Sequence, residues 1–264
     1  MNTNNPAAMI RRTAIVIVAT LLSIATLSAQ QIVAHRGHHS VEGSAENSLA
    51  SLHAAHSAGI NVVEFDVVFT ADGRAVVAHG PNHPKSGGEP INKTRFEALR
   101  STPLENGECL PTLEEYLAVA KEYPEIELLL EIKLLGKESE EEVFATIDST
   151  VERYGLTDRV TYISFSKRIC DLACERGSMY LMGDLSPRKV AKRGYKGISY
   201  PAAILRLHPA WIKRAQRLGL KVSIWTVNQP SGVEWAIRHG VDYITTDNPA
   251  LVAECIANSK TNNK

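Results

Sequence analysis

The chain has 264 residues, of which 44% are hydrophobic, and its 29 Lys plus Arg are balanced by 29 Asp plus Glu. A net charge of zero creates no field that would draw the protein to nucleic acid or to an anionic membrane. We therefore expect a small-molecule partner and no nucleic-acid partner, while the oligomeric state stays open.

Residues 1–29 have the layout of a secretory signal peptide. Two arginines precede a mostly apolar run over residues 14–27, which ends in small residues. The run is short for a membrane helix, which needs roughly 20 apolar residues; an uncleaved membrane anchor is the alternative. We expect the mature domain, residues 30–264, to begin near Gln30, to be periplasmic or secreted, and to have no stable membrane insertion.

Eight short apolar, β-branched runs alternate along the mature chain with amphipathic stretches of helical period. This alternation is typical of βα units around a parallel sheet. In a domain of this length, eight units favour a single (β/α)8 TIM barrel over an open doubly wound sheet. The predicted strands are residues 32–34, 62–69, 128–132, 160–164, 180–183, 197–200, 222–226 and 243–245.

The connections carry turn and cap signals. A first helix is predicted over residues 48–58, with Asn47 as its N-cap and Gly59 as its C-terminal stop. After the second strand, Asp72-Gly73 predicts a tight turn into a short returning strand. Residues 80–111 form the longest connection, an insertion that we expect to lie over one end of the barrel.

The four cysteines form neither CxxC pairs nor a dense disulfide scaffold. In an oxidising compartment one bridge is possible, and the sequence does not choose among the three full pairings. Cys170 and Cys174 lie one helical turn apart, and we expect them to pack as small apolar residues.

Polar residues suited to catalysis follow the predicted strands at their C-terminal ends, where barrel enzymes have their active sites. Glu64 and Asp66 are two residues apart and share one face of a strand, and Glu131 can join them from the next strand. Three carboxylates together repel one another unless a cation neutralises them, and oxygen ligands suit Ca²⁺ or Mg²⁺. The alternative is an ion-pair network with Arg36 or Lys133.

The same strand ends supply cations and imidazoles. Arg36 offers two parallel donors to phosphate oxygens, and Lys133 adds a compact positive charge. His35 and His79 come from different segments and titrate near neutrality, so one can accept a proton while the other donates one. The sequence does not say which is the acid.

The ordered set of motifs resembles the glycerophosphodiester phosphodiesterase family. Later segments extend the likeness nearly to the end of the chain. The matching motifs are His35-Arg36-Gly37, Glu46-Asn47, Glu64-x-Asp66, His79, Glu131-Ile132-Lys133, PTLEEYL at 111–117, WTVN at 225–228 and TTDNP at 245–249.

The resemblance implies a TIM barrel that hydrolyses glycerophosphodiesters to an alcohol and sn-glycerol 3-phosphate. It implies one divalent cation, Ca²⁺ or Mg²⁺, on the residues matching Glu64, Asp66 and Glu131, and an acid/base pair at His35 and His79. In related enzymes the neighbouring glycerol hydroxyl can attack phosphorus first and form a cyclic intermediate.

The chain departs from the family pattern after His79, where the family usually has Asp and this sequence has Gly80. Trp225 is expected either as an apolar wall beside the substrate or as simple packing at the barrel mouth. Glu46 is expected to face the site or to brace Arg36. Asp247 is interpreted as a cap of the last helix, without a catalytic role.

Two other functions stay open. A phospholipase, sphingomyelinase D-like or phosphatidylinositol-specific phospholipase C-like, needs an apolar rim, but residues 80–90 contain no aromatic residue beyond His83 and little aliphatic surface. This composition favours a water-soluble substrate, although other loops can contribute to the rim. A non-catalytic phosphodiester-binding barrel is the second alternative, and it does not need the two histidines.

Overall fold

A computed structural model describes residues 30–85, 88–136 and 138–261. The predicted signal peptide lies outside these residues. Within them the chain forms a closed barrel of eight parallel strands surrounded by helices. None of the described helices is long and apolar enough to cross a bilayer.

The barrel closes because the first strand pairs with both the second and the last. A ninth, short strand adds antiparallel to the far end of the second. The strands are β1 Gln31–Ala34, β2 Val62–Phe69, β3 Ala75–Val77, β4 Glu127–Ile132, β5 Val160–Ser164, β6 Ser178–Tyr180, β7 Gly197–Pro201, β8 Lys221–Trp225 and β9 Tyr243–Thr246.

The helices cover the outer face of the barrel and bury its Val, Leu and Ile side chains. Local signals set their ends: Thr112 and Glu115 form a capping box, and Gly155 ends the longest helix in the left-handed conformation. They are α1 Leu49–Ser57, α2 Phe96–Arg100, α3 Leu113–Lys121, α4 Glu140–Tyr154, α5 Lys167–Leu172, α6 Pro187–Lys192, α7 Ala202–Leu207, α8 Ala210–Arg217, α9 Pro230–His239 and α10 Pro249–Thr261, with single 3-10 turns at Ile91–Lys93 and Thr157–Arg159.

The predicted barrel is confirmed, and most strands lie within one residue of their predicted bounds. The exception is β6, which occupies residues 178–180 rather than 180–183. Ser178 is fully buried in this strand because its hydroxyl donates to the Cys170 carbonyl oxygen at 2.8 Å. The sequence alone does not show this hydrogen-bond partner, which the fold supplies and which allows the serine to be buried.

The insertion after β3 has a small core of its own. Ile91, Phe96 and Leu99 pack against Val68 of β2 and Val76 of β3. The segment is therefore held to the β2–β3 hairpin at the C-terminal end of β2, beside the ends of the barrel strands.

All four cysteines are free. Cys170 is buried in the core as expected, while Cys174 is only partly buried and its thiol lies 3.2 Å from the Gly194 carbonyl oxygen.

Candidate active site

Three carboxylates meet inside the barrel. Asp66 of β2 is directly opposite Glu131 of β4, and Glu64 lies two residues earlier on the same face of β2. All three side chains are buried, and each offers an oxygen within 4.8 Å of the others. The structure thus brings together the three acids that the sequence placed on two neighbouring strands.

Burying the three negative charges of this acidic cluster is energetically unfavourable when no cation is bound. Burial, together with the charge of Asp66, raises the pKa of Glu131 to about 7. Burial and then its two acidic neighbours raise the pKa of Glu64 well above its ordinary value. Glu64 Oε1 and Asp66 Oδ1 are buried and accept no hydrogen bond from the described residues. An oxygen-rich cluster with unused lone pairs fits a hard divalent cation.

Ion pairs offset only part of this charge. Lys133 Nζ lies 2.8 Å from Glu131 Oε1 and 3.4 Å from Asp66 Oδ1, and Arg36 Nε lies 3.6 Å from Asp66 Oδ2. Glu64 has no Lys or Arg side chain within ion-pair distance in the described part of the chain. Ion pairs with Arg36 and Lys133, the alternative to a cation site, therefore exist, but they do not include Glu64. Its neighbour at ion-pair distance is His35, whose Nε2 lies 3.9 Å from Glu64 Oε2.

Arg36 reaches the site through an unusual backbone conformation. Its φ of 54° is left-handed, and its backbone N–H donates to Glu64 Oε2 at 2.8 Å. The next residue must be Gly37, because a Cβ there would lie 2.1 Å from Ser51 Oγ. Glu46 braces the guanidinium, with Oε2 2.6 Å from Arg36 Nη1. The His-Arg-Gly order is thus explained by local packing.

Asn47 is not the N-cap of α1, so that prediction was wrong. Ser48 is the cap and accepts from the Ser51 N–H at 3.0 Å. Asn47 has a left-handed φ of 59° and turns its amide to Asp66, donating from Nδ2 at 2.9 Å and accepting the Asp66 N–H at 3.1 Å. The amide holds Asp66 at the acidic cluster.

Asp247 supports His35 and does not cap the last helix, which corrects our reading of the sequence. His35 Nδ1 lies 2.6 Å from Asp247 Oδ1, and Asn228 Nδ2 donates to the other carboxylate oxygen at 2.5 Å. The hydrogen bond with His35 lowers the pKa of Asp247 well below its usual range. The helix is capped instead by Asn248, whose Oδ1 accepts from the Leu251 N–H at 3.1 Å.

His79 faces the same cavity from the end of the β2–β3 hairpin. Burial, the largest influence, lowers its pKa, so that the neutral imidazole is favoured at neutral pH. His79 Nδ1 is 3.1 Å from the Gly80 carbonyl oxygen. Gly80 itself has a left-handed φ of 66°, and a Cβ there would lie 3.0 Å from Leu135 Cδ2.

The cavity, of about 120 Å³, has one charged wall and one apolar wall. Trp225 belongs to the apolar wall and is held by its Nε1, which donates to the Ser199 carbonyl oxygen at 2.7 Å. The charged wall is formed by His35, Arg36, Glu64, His79, Glu131 and Lys133, and the apolar wall by Leu129, Ile163, Phe165, Leu181 and Trp225.

Two other histidines lie outside this cavity. His39 reaches Asp247, with Nε2 3.4 Å from Oδ1, so it stands at the rim. His38 is buried beside a larger cavity of about 370 Å³ between β1 and α10, which has no carboxylate side chain among its described lining residues. The candidate site is therefore identified by the chemistry of its lining and not by its volume, because the smaller cavity is the one lined by Glu64, Glu131 and both imidazoles.

Comparisons with known proteins give matches over most of the chain. The sequence profile described as "Glycerophosphoryl diester phosphodiesterase family" matches residues 35–251. A probable glycerophosphodiester phosphodiesterase 2 of Mycobacterium tuberculosis is 25% identical over 248 residues, covering 85% of this chain and 89% of that protein.

Solved structures extend the match. A glycerophosphodiester phosphodiesterase from Parabacteroides distasonis is 35% identical, with a TM-score of 0.83, covering 88% of this chain and 99% of that one. An Oleispira antarctica phosphodiesterase in complex with the product sn-glycerol 3-phosphate is 24% identical, with a TM-score of 0.77 and coverage of 87% and 97%. The second likeness supports the fold.

Proposed function

The chain belongs to the glycerophosphoryl diester phosphodiesterase family and is a phosphoric diester hydrolase, and from this premise we propose that it cleaves glycerophosphodiesters to an alcohol and sn-glycerol 3-phosphate at the cavity between His35 and His79. One observation carries the proposal: Glu64 and Glu131 of the acidic cluster line a single cavity together with both imidazoles, and Asp66 has an oxygen within 4.8 Å of theirs. The product complex of the Oleispira protein, which shares the fold, supports this choice of substrate.

Glu64, Asp66 and Glu131 would hold one divalent cation. Their oxygen-only chemistry and the buried Oε1 of Glu64, which accepts no hydrogen bond from the described residues, favour Ca²⁺ or Mg²⁺ over softer metals. When bound, the cation supplies Lewis-acid stabilisation of charge on the phosphoryl oxygens.

Arg36 and Lys133 supply the fixed positive charge of the phosphate site. Both line the cavity, and the nearby carboxylates keep them charged. Burial is the largest single influence and lowers the pKa of each group, but Asp66 and the neighbouring glutamates together outweigh it, so the pKa of each group is raised. Because Glu46 and Glu131 already orient the two side chains, little reorganisation is needed when a phosphodiester binds.

The two histidines can divide the proton transfers. We assign the base to His79, because burial lowers its pKa and favours the neutral imidazole. The neutral imidazole can accept a proton from the attacking oxygen, which belongs to water or to the neighbouring glycerol hydroxyl. We assign the acid to His35, whose Nδ1–H donates to Asp247 and whose Nε2 is left to protonate the leaving oxygen. The carboxylate of Asp247 compensates the charge of the protonated imidazole.

The layout of residues 1–29 supports export, which we include in the proposal. Protein recovered from the extracytoplasmic fraction should begin near Gln30 and should release sn-glycerol 3-phosphate from glycerophosphocholine. Chelation with EDTA should abolish the release, and added Ca²⁺ or Mg²⁺ should restore it. Turnover that persists without a metal, or release of the alcohol with no glycerol phosphate, would contradict the proposed reaction.

Asp247→Asn should reduce kcat by about 10- to 100-fold with little change in KM, because the amide can present an N–H to His35 Nδ1 and disturb the tautomer that leaves Nε2 for proton transfer. Steady-state kinetics on glycerophosphocholine measure both constants. Since the Asp247 side chain is partly exposed at the end of β9, the midpoint of thermal unfolding should stay close to that of the parent protein.

Asp171→Asn is the matched control. Asp171 belongs to α5, accepts from Arg193 and Tyr195, and does not line the cavity. It should leave kcat unchanged. Equal losses in the two variants would argue against a positioning role for Asp247.

A further inference from the structure

A second groove opens beside the catalytic cavity. It has a volume of about 320 Å³ and shares His79, Lys133 and Phe165 with the cavity, so the two spaces lie side by side. We call it the side groove and define it by Gly80-Pro81 on one bank, Leu134-Leu135 on the other, and Phe165 at the junction.

The side groove offers an apolar ligand contact and little else. Its serine hydroxyls are used within the protein: Ser164 Oγ donates to the Ile132 carbonyl oxygen at 2.9 Å, and Ser166 Oγ bonds to Glu140. Lys133 is engaged by Glu131 and Asp66. The polar side chains of this groove therefore leave few free hydrogen-bonding groups for a ligand.

Gly80 keeps the side groove open. A Cβ on Gly80 would lie 3.0 and 3.1 Å from the two methyl carbons of Leu135, closer than ordinary contacts, so a larger residue would push into the groove or displace that leucine. At the junction, Phe165 is 38% exposed although its ring packs edge-on against Trp225 at 5.8 Å. Apolar surface thus remains available next to the reacting centre.

We propose that the side groove binds a single hydrocarbon chain of the substrate, so that glycerophosphodiesters with one chain are cleaved in preference to those with only small polar groups. This inference rests on the proposed function, because the phosphodiester must lie in the catalytic cavity for its substituent to enter the side groove past His79. The chain can belong to the leaving alcohol or be esterified to the glycerol, and both present the same methylenes.

Two substrate series distinguish these sources. One is glycerophosphoryl n-alkyl esters from methyl to octyl, and the other is monoacyl glycerophosphocholines of short chain, all assayed as monomers on the metal-loaded wild-type protein. We expect kcat/KM to rise about twofold per added methylene in one series, since a groove open on one side buries only part of each methylene. A flat response in both series would overturn the proposal.

A variant tests whether the rise in kcat/KM depends on the side groove. Leu135→Gln puts a polar group on the bank of the side groove and should remove most of the rise along the responding series. Leu218→Gln, at the end of α8, changes a leucine that is 43% exposed away from the groove and should keep the full rise. A full rise in the Leu135 variant, or an equal loss in both, would overturn the assignment.

Failure of the proposed function has a different signature. In that case neither the methyl ester nor glycerophosphocholine releases sn-glycerol 3-phosphate. The side groove is then still tested by calorimetry, because the affinity for the alkyl esters must rise along the series, and a constant affinity would refute it.

Discussion

His79→Gln and His35→Gln should each lower kcat on glycerophosphocholine by about 10²–10⁴-fold, the usual contribution of general acid or base catalysis. Glutamine keeps much of the volume and the hydrogen bonding of each imidazole but cannot exchange a proton near neutral pH. Both side chains line the same cavity beside the acidic cluster, which is why the two losses should be of similar size. Steady-state kinetics with saturating cation measure the effect.

His208→Gln is the control for these variants. This exposed histidine stacks on Trp211 with ring centroids 4.3 Å apart and does not line the cavity. Its replacement should leave kcat unchanged. If either cavity variant retained more than about a tenth of the parent kcat, the assigned proton transfers would be wrong.

Glu131→Gln should remove most of the stabilisation by the cation and lower kcat/KM by at least about 10²-fold, because a neutral amide is a poor substitute for a carboxylate ligand. A cation present at a hundred times its Kd adds about 2.7 kcal/mol to the folded state. For a domain of this size that is a rise in Tm of roughly 5–10 °C. Thermal unfolding with and without Ca²⁺ or Mg²⁺ measures the loss.

The stabilisation by the cation should also grow with pH. Because the pKa of Glu131 is raised from 4.5 to about 7 and that of Glu64 is also raised, these carboxyls stabilise the cation-free protein fully below their ordinary pKa. That contribution is lost as the pH rises through about 7. Cation binding requires the carboxylates and releases their protons, so the rise in Tm should be small near about pH 5 and largest near about pH 8.

Glu127→Gln, at the exposed start of the same strand, is the control and should respond to the cation as the parent protein does. A cation effect that does not change with pH, or one that survives in the Glu131 variant, would place the cation elsewhere.

Much of the fold follows from the sequence because the βα alternation is strong and a closed barrel restricts where each strand can end. The acids of β2 and β4 could be predicted for the same reason: strand periodicity puts Glu64 and Asp66 on one face, and Glu131 is on the neighbouring strand. Local spacing and parallel pairing were sufficient to find the acidic cluster.

The roles of Asn47 and Asp247 could not be predicted, because each depends on a distant partner. Asn47 has the composition of a helix cap, yet its amide binds Asp66 nineteen residues later. Asp247 precedes a helix, yet its partner His35 is 212 residues away. Local sequence offers the cap as the simpler role, and only the closed barrel brings the competing partners into reach.

The side groove could not be predicted from the sequence either. Residues 80–90 contain few aliphatic side chains, and this composition favoured a water-soluble substrate. In the structure Pro81 faces Leu134, Leu135 and Phe165, which come from the loops after β4 and β5. A surface assembled from three loops has no signature in any one of them.

The hydrogen bond between His35 and Asp247 joins the residues that follow β1 and β9, the first and last strands to leave the ribosome. A nascent chain can carry the acids and His79, but its His35 lacks this carboxylate until the final strand docks. The proposed acid is therefore paired with its carboxylate only once the barrel has closed.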